Sequence, residues 1–194
     1  WEAVLKKHFI DSLSVINVLP AVKTQTFSVV DIGTGAGFPG IPLKIAFPQI
    51  RLTLIDSLQK RVKFLQEVVY SLEMEDVQIL HGRAEDFSKS GEKMREAYDL
   101  CVSRAVAKLS TLCEFCIPYI KKGGIFVSYK AEKSSEEEKD AAKAIKILGG
   151  RIKERKEFYL PNSEISRCLF LIQKEISTPE KYPRKAGLPI REPL

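Results

Sequence analysis

Apolar residues Trp1, Leu5, Phe9, Leu13 and Ile16 recur every three or four positions before Pro20, which predicts an amphipathic helix over residues 1–20 that docks on the remainder of the domain. From residue 28 the period changes. Short apolar runs, SVVDI, RLTLID and VQIL, alternate with the helical patterns GIPLKIAF and KRVKFLQEVVYSL, the strand–helix–strand rhythm of a parallel sheet. YDLCVS continues it as a strand, LSTLCEFCIPYI as a helix, and GGIFVSYK as a strand introduced by Gly123 and Gly124. In SSEEEKDAAKAIKILGG a capping serine and acids come first, lysines later and glycines last, as helix-end electrostatics favours. Glu136 to Glu138 then read as a solvated helix face. RIKERKEFYL and SRCLFLIQKE, joined by PNSEI, predict an antiparallel hairpin. The sum is an α/β, Rossmann-like domain of seven mostly parallel strands that ends in a hairpin, not the two matching halves of a dinucleotide dehydrogenase.

The 194 residues fit one domain over 1–194, with a helix at 1–20, an α/β core at 28–175 and a tail at 176–194. The tail, TPEKYPRKAGLPIREPL, sets four prolines among Lys181, Arg184, Lys185 and Arg191, and is expected to lie extended on the surface. No run approaches the ~18 apolar residues of a membrane span. The net charge of +6 suits a polyanionic partner. Cys101, Cys113, Cys116 and Cys168 all sit in apolar stretches, so they read as buried and reduced. Cys113 and Cys116 form a C-x-x-C on a helical pattern with no second pair, which favours core packing over a zinc site, and no metal is expected. The chain opens on Trp1 and not methionine, so a natural N-terminus is expected upstream, with any targeting segment.

The densest chemistry is Asp31-Ile-Gly-Thr-Gly-Ala-Gly-Phe-Pro-Gly40, between a predicted strand and a predicted helix. Glycines let the backbone take positive φ and bring a ligand against the main chain, and the amides of the helix start are expected to face it. The strand-final acid Asp31 suits a ligand carrying an ammonium group more than a diphosphate. Gly35, Gly37 and Gly40 do match G-x-G-x-x-G, but counted from Gly33 the third position is Phe38, followed by Pro39 where an amide donor would be wanted. Asp56, ending RLTLID, can accept hydrogen bonds from both ribose hydroxyls of an adenosine. After the third strand comes His-Gly-Arg-Ala-Glu. There the Ala84 amide could meet an adenine ring nitrogen and Glu85 its exocyclic amine, or Glu85 and Asp86 could cap a helix. His81 reads as a surface or capping residue. Arg104, after the fourth strand, could hold a cofactor carboxylate, a phosphate or guanine O6, or form a structural ion pair.

KHFIDSL at 7–13, DIGTGAGFPGIPL at 31–43, LIDSLQKRVKFL at 54–65, GRAEDF at 82–87, SRAVA at 103–107 and YPRKAG at 182–187 together resemble the RsmG (GidB) family. The similarity runs the length of the chain, in order. It implies a class I S-adenosylmethionine-dependent methyltransferase that modifies guanine N7 in 16S ribosomal RNA. By resemblance, donor contacts fall on Gly33, Gly35, Phe38, Ala84, Glu85 and Arg104, with Asp56, Ser57 and Leu58 around the ribose and adenine. A monomer in the cytoplasm, with 16S rRNA or the 30S subunit as partner and no membrane, is implied likewise. Relatives carry a further N-terminal helical segment with an asparagine-rich stretch that this sequence does not show, which bears on RNA docking.

Guanine N7 carries a free lone pair, so no general base is expected and catalysis rests on orientation. An arginine could read guanine through O6 alone, because N7 must stay free, and Arg104 is the candidate for this positioning role or for anchoring the cofactor. RNA affinity is expected from Lys130, Lys181, Arg184 and Lys185 through phosphate neutralisation, with Lys6, Lys7 and His8 as weaker candidates. His8 could instead pack near Asp11. Loss of Arg184 and Lys185 is expected to spare donor affinity. The rival readings are a nicotinamide oxidoreductase, which shares the glycines and Asp56, and a non-catalytic rRNA-binding or assembly factor.

Overall fold

The computed structural model describes residues 1–104, 107–131 and 135–194. Ala105 and Val106 of the SRAVA segment, and the serine cap expected ahead of the acidic helix, lie outside them. Strands β1 (Ser28–Ile32), β2 (Arg51–Asp56), β3 (Val77–His81), β4 (Tyr98–Arg104), β5 (Ile120–Lys130), β6 (Gly150–Tyr159) and β7 (Ser166–Lys174) form one sheet in the order β3-β2-β1-β4-β5-β7-β6. The first five run parallel, and β7 inserts antiparallel between β5 and β6. That insertion separates the sheet from the 3-2-1-4-5-6 order of dinucleotide folds.

Central strands are covered on both faces, so they read as unbroken apolar runs. Val29, Leu100 and Val102 pack with one core cluster, Val30, Ile32 and Cys101 with the other, as a period of two requires. The helices are α3 (Gly40–Ala46), α4 (Gln59–Ser71), α5 (Ala84–Phe87), α6 (Leu109–Cys116) and α7 (Ser135–Ile147). All four cysteines are buried, Cys113 and Cys116 on α6. β5 begins at Ile120, ahead of the glycines expected to introduce it. Ile120 already pairs with Tyr98, and a register shift between Tyr98 and Leu100 absorbs the difference. No helix among the described residues is long and apolar enough to cross a membrane.

The N-terminal helix is not uniform. It runs from α1 (Glu2–Val4) through a π-helical stretch, Leu5–Ile10, to α2 (Asp11–Leu13) and a 3₁₀ turn, Ser14–Asn17. Ser12 and Ser14 donate back to the His8 and Asp11 carbonyls, which competes with the regular ladder. Asp11 is buried there, accepting from Arg104 Nη1 at 3.1 Å and Arg167 Nε at 3.0 Å.

The tail departs from expectation. It stays at the surface but is tethered to the core and is not extended throughout, since residues Leu188–Arg191 form a helical turn, α8. Pro189 is tolerated because it falls in the first turn, where its missing N–H has no intrahelical partner to lose. Three charge contacts hold the tail. Lys174, fully buried, pairs with Glu96 at 2.7 Å and bonds Thr178 Oγ1. The Arg95 guanidinium donates to the carbonyls of Ser88, Thr178 and Tyr182. Arg184 grips Glu114 of α6, with Nε at 2.9 Å and Nη2 at 2.7 Å, while its own amide donates to the same carboxylate at 2.8 Å. Glu114 is 1% exposed.

The loop from β1 to α3 is held from beneath by Asp31. Its Oδ2 accepts from Thr34 Oγ1 at 2.8 Å and from the Gly40 amide at 2.9 Å. A Cβ on Gly40 would stand 2.6 Å from Leu54 Cδ2 and 2.9 Å from Asp31 Oδ2, so only glycine lets the helix start this close to the strand. Asp31 is fully buried, and burial pushes its carboxyl up to about 7 against the Thr34, Gly40 and Arg104 interactions that pull it down.

Removing the Arg184 side chain leaves the Glu114 charge buried without compensation. Arg184→Ala should therefore cost about 3 kcal/mol in urea unfolding, Lys185→Ala should stay within about 0.5 kcal/mol of the parent, and Glu114→Gln should recover part of the Arg184→Ala loss. For Asp31 the folded carboxyl titrates above its unfolded value of 3.8, so its contribution to stability is complete below pH 4 and is lost as pH rises through about 7. Asp31→Asn, which cannot ionise, should gain on the parent between pH 5 and pH 8 in urea midpoint; parallel profiles would refute the shift.

Candidate active site

Carboxyl ends of parallel strands leave a crevice where ligands bind in open α/β sheets, and here the crevice is one groove in three connected parts. The first, about 320 Å³, is lined by Gly33, Asp56, Ser57, Ala84, Glu85 and Ile190, with Phe115 and Arg83 among the rest. The second, about 780 Å³, shares Gly33, Asp56 and Ser57 and adds Gly35, Phe38, Arg61, His8 and Arg104. The third, about 200 Å³, shares His8 and Arg104 and adds Lys7, Asp11, Tyr129, Lys130 and Arg167.

Asp56 is the hinge of the first two parts. Buried at the end of β2, it accepts from the Gly35 amide on Oδ2 and the Leu58 amide on Oδ1, both at 2.9 Å, and from Arg61 at 3.3 Å. Gly33, Gly35 and Gly37 all take positive φ, and a side chain on Gly35 would meet nothing within 4 Å. The loop thus presents bare backbone to the groove beside a buried carboxylate. At the first end Glu85 is 3% exposed, and its Oε1 accepts from the Gly187 amide at 3.0 Å.

Arg104 stands where the second and third parts meet, its side chain 15% exposed. Nη1 donates to the Lys7 and His8 carbonyls as well as to Asp11, Nη2 lies 3.2 Å from His8 Nδ1, and the guanidinium sits 5.1 Å from the centre of the Phe38 ring. The His8 ring also packs against Phe38, with 5.3 Å between ring centres. Tyr129 Oη donates to the Ser12 carbonyl, and burial drives its phenol upward from the ordinary tyrosine range.

The residues expected to contact the donor converge on this groove: Gly33, Gly35, Phe38, Asp56, Ser57, Ala84, Glu85 and Arg104 all line it. Leu58 is half exposed beside it and contributes its amide to Asp56. Other expectations are corrected. Asp31 is fully buried under the loop and lines none of the three parts, because Thr34 and Gly40 turn its carboxyl inward. The helix-start amide of Gly40 is spent on it. Of the four cations expected to meet phosphate, Lys130 Nζ donates to the Ala107 carbonyl at 2.7 Å and to Glu137 at 2.9 Å, and Arg184 pairs with Glu114. Lys181 and Lys185 are exposed on the tail, away from the groove walls. His81 is exposed, with Nε2 3.2 Å from the Ser57 carbonyl. Arg167 and Ile190 were not singled out by pattern, since each acquires its place only when distant segments meet, and Arg61 was passed over although it lies five residues from Asp56.

The family model described as rRNA small subunit methyltransferase G matches residues 1–166. The ribosomal RNA small subunit methyltransferase G of Alkaliphilus oremlandii is 50% identical over 191 residues, covering 98% of this chain and 79% of the relative. That of Alkaliphilus metalliredigens is 49% identical over 193 residues, covering 100% and 80%. Among solved structures, fibrillarin of Aeropyrum pernix with natively bound S-adenosyl-L-methionine superposes with a TM-score of 0.60 at 15% identity, over 78% of this chain and 67% of that one. Precorrin-6y C5,15-methyltransferase of Geobacter metallireducens gives 0.58 at 14%, over 83% and 88%. These two share the fold, that of class I methyltransferases. With residues 1–166 matched by the family model and near half of the aligned positions identical to its members, the chain belongs to the rRNA small subunit methyltransferase G family.

Proposed function

We propose that the protein transfers a methyl group from S-adenosylmethionine to guanine N7 of small-subunit ribosomal RNA. The observation that carries the reading is the unbroken groove from Glu85 past Asp56 and Gly33 to Arg104, whose successive donors and acceptors match the parts of that cofactor. Glu85 and the Ala84 amide suit the purine edge. Asp56 keeps lone pairs for ribose hydroxyls, because each oxygen takes only one backbone N–H and Arg61 is the longest of its contacts. Bare backbone at Gly33 and Gly35 lets the ligand lie close. When bound, the cofactor supplies a methyl group activated by a sulfonium.

Beyond Arg104 the third part of the groove is the acceptor side. Arg104 is oriented by Asp11 and by the π-helical carbonyls, so its outward N–H groups are fixed before any substrate arrives. It suits guanine O6, leaving N7 unprotonated and facing the donor. Because N7 is already nucleophilic, the side chains there need only hold the base in line and exclude water. Lys7 and Arg83 are exposed at the groove, and they with Lys185, not Lys130 or Arg184, are the cations free to meet RNA phosphates.

Two measurements test this. Asp56→Asn should weaken S-adenosylhomocysteine binding about tenfold or more in calorimetry, a charged hydrogen-bond acceptor being worth ~1.5–3 kcal/mol, while NADH binds neither protein. Arg104→Lys should bind the donor within about threefold of the parent yet lose on the order of 10²-fold in methyl transfer to unmodified small subunits, the loss expected from one pre-aimed donor. Mapping the product by cleavage at N7-methylguanosine identifies the atom; a methyl group found elsewhere on the RNA rejects the N7 reading.

A further inference from the structure

We propose that the C-terminal tail is part of the donor site, with α8 forming the wall over the purine end and Ile190 as a binding residue that covers the adenine ring. The inference rests on the proposed binding of S-adenosylmethionine in this groove. Ile190 is 61% exposed, yet it lines the same part of the groove as Ala84, Glu85 and Phe115. An apolar side chain left open inside a pocket is surface that a flat, weakly polar ring can cover, and a purine is such a ring.

The tail is built to hold that position. Its Arg184–Glu114 contact fixes the strap on α6, the Thr111 hydroxyl donates to the Pro189 carbonyl at 3.2 Å, and the Gly187 amide reaches Glu85. Glu85 is the crux. One oxygen accepts from the tail at Gly187, and Glu85 lines the groove, where an exocyclic amine would take the other oxygen. Tail and ligand therefore share one buried acceptor group, so docking of either orders the carboxylate for the other. Favourable interaction between the two makes their affinities rise together, reciprocally. Arg184 acts here as a positioning residue, and this reverses the expectation that its loss spares donor affinity.

The test uses the full chain with S-adenosylhomocysteine in calorimetry. Ile190→Ala should weaken binding about tenfold and Ile190→Asp further, as removal of part of an isoleucine side chain from a covered surface predicts, with unfolding midpoints unchanged because the side chain is mostly exposed. In methyl transfer the donor KM should rise while kcat at saturating donor stays. Adenosine alone should show the same loss and should slow tryptic cleavage after Lys185 and Arg191. If the parent binds S-adenosylhomocysteine and both Ile190 variants bind it within twofold, this inference is wrong and the donor reading stands. If the parent binds none, the donor reading itself falls.

Discussion

Two buried carboxylates pinning one glycine loop are the constraint on which the rest of the site depends. Asp31 takes Thr34 and Gly40 from below, Asp56 takes Gly35 from the side, and the chain between them is left with positive φ at Gly33, Gly35 and Gly37. A loop so rich in glycine would otherwise lose much conformational entropy on ordering. The hydrogen bonds that the two buried acids accept offset that cost. Because both acids lie at the carboxyl ends of neighbouring strands, Asp31 one residue before the end of β1 and Asp56 last in β2, the loop geometry is inherited from the sheet. The division of labour has the same origin: the acid that is wholly enclosed supports the backbone, and the one at the groove wall can also meet a ligand.

The same logic of paired burial organises both termini. Asp11 gathers Arg104 and Arg167, Glu114 gathers Arg184, and Glu96 gathers Lys174. An ionised group taken out of water is expensive unless its partner comes with it, so each acid selects one arrangement of the segment that brings the cation. The N-terminal helical run is thereby tied to the strand that supplies Arg104, and the tail to α6, whose Phe115 lines the groove. Cations consumed in this way are withdrawn from the surface. A positive net charge is thus a poor guide to where a polyanion docks.

Legibility in the sequence tracked the range of the interaction. Strand and helix order, the hairpin and the buried cysteines were readable because periodicities of two and three to four residues are local signals. The groove residues Gly33, Gly35, Asp56, Ala84, Glu85 and Arg104 were readable because strand ends in a parallel sheet converge. Asp31 was assigned to a ligand because its position in the pattern is right, and nothing in the pattern says which way a carboxyl turns. Arg184 and Lys130 looked like free surface cations for want of any local sign of Glu114, seventy residues away, or of Glu137. The tail misled for a different reason: four prolines exclude a helix interior but not a first turn, and Pro189 sits in one.

What the arrangement offers chemistry is rigidity ahead of binding. Methyl transfer to a nitrogen that already has its lone pair needs no proton moved, so a site gains most by fixing the angle and distance of approach. The main polar groups of this groove are held by other parts of the protein: the loop amides by Asp56 and Asp31, Arg104 by Asp11 and the π-helical carbonyls, Glu85 by the amide of Gly187. The side chain of Ile190, 61% exposed at one end of the groove, has no such polar anchor, so what it offers a ligand is apolar area and not a fixed direction.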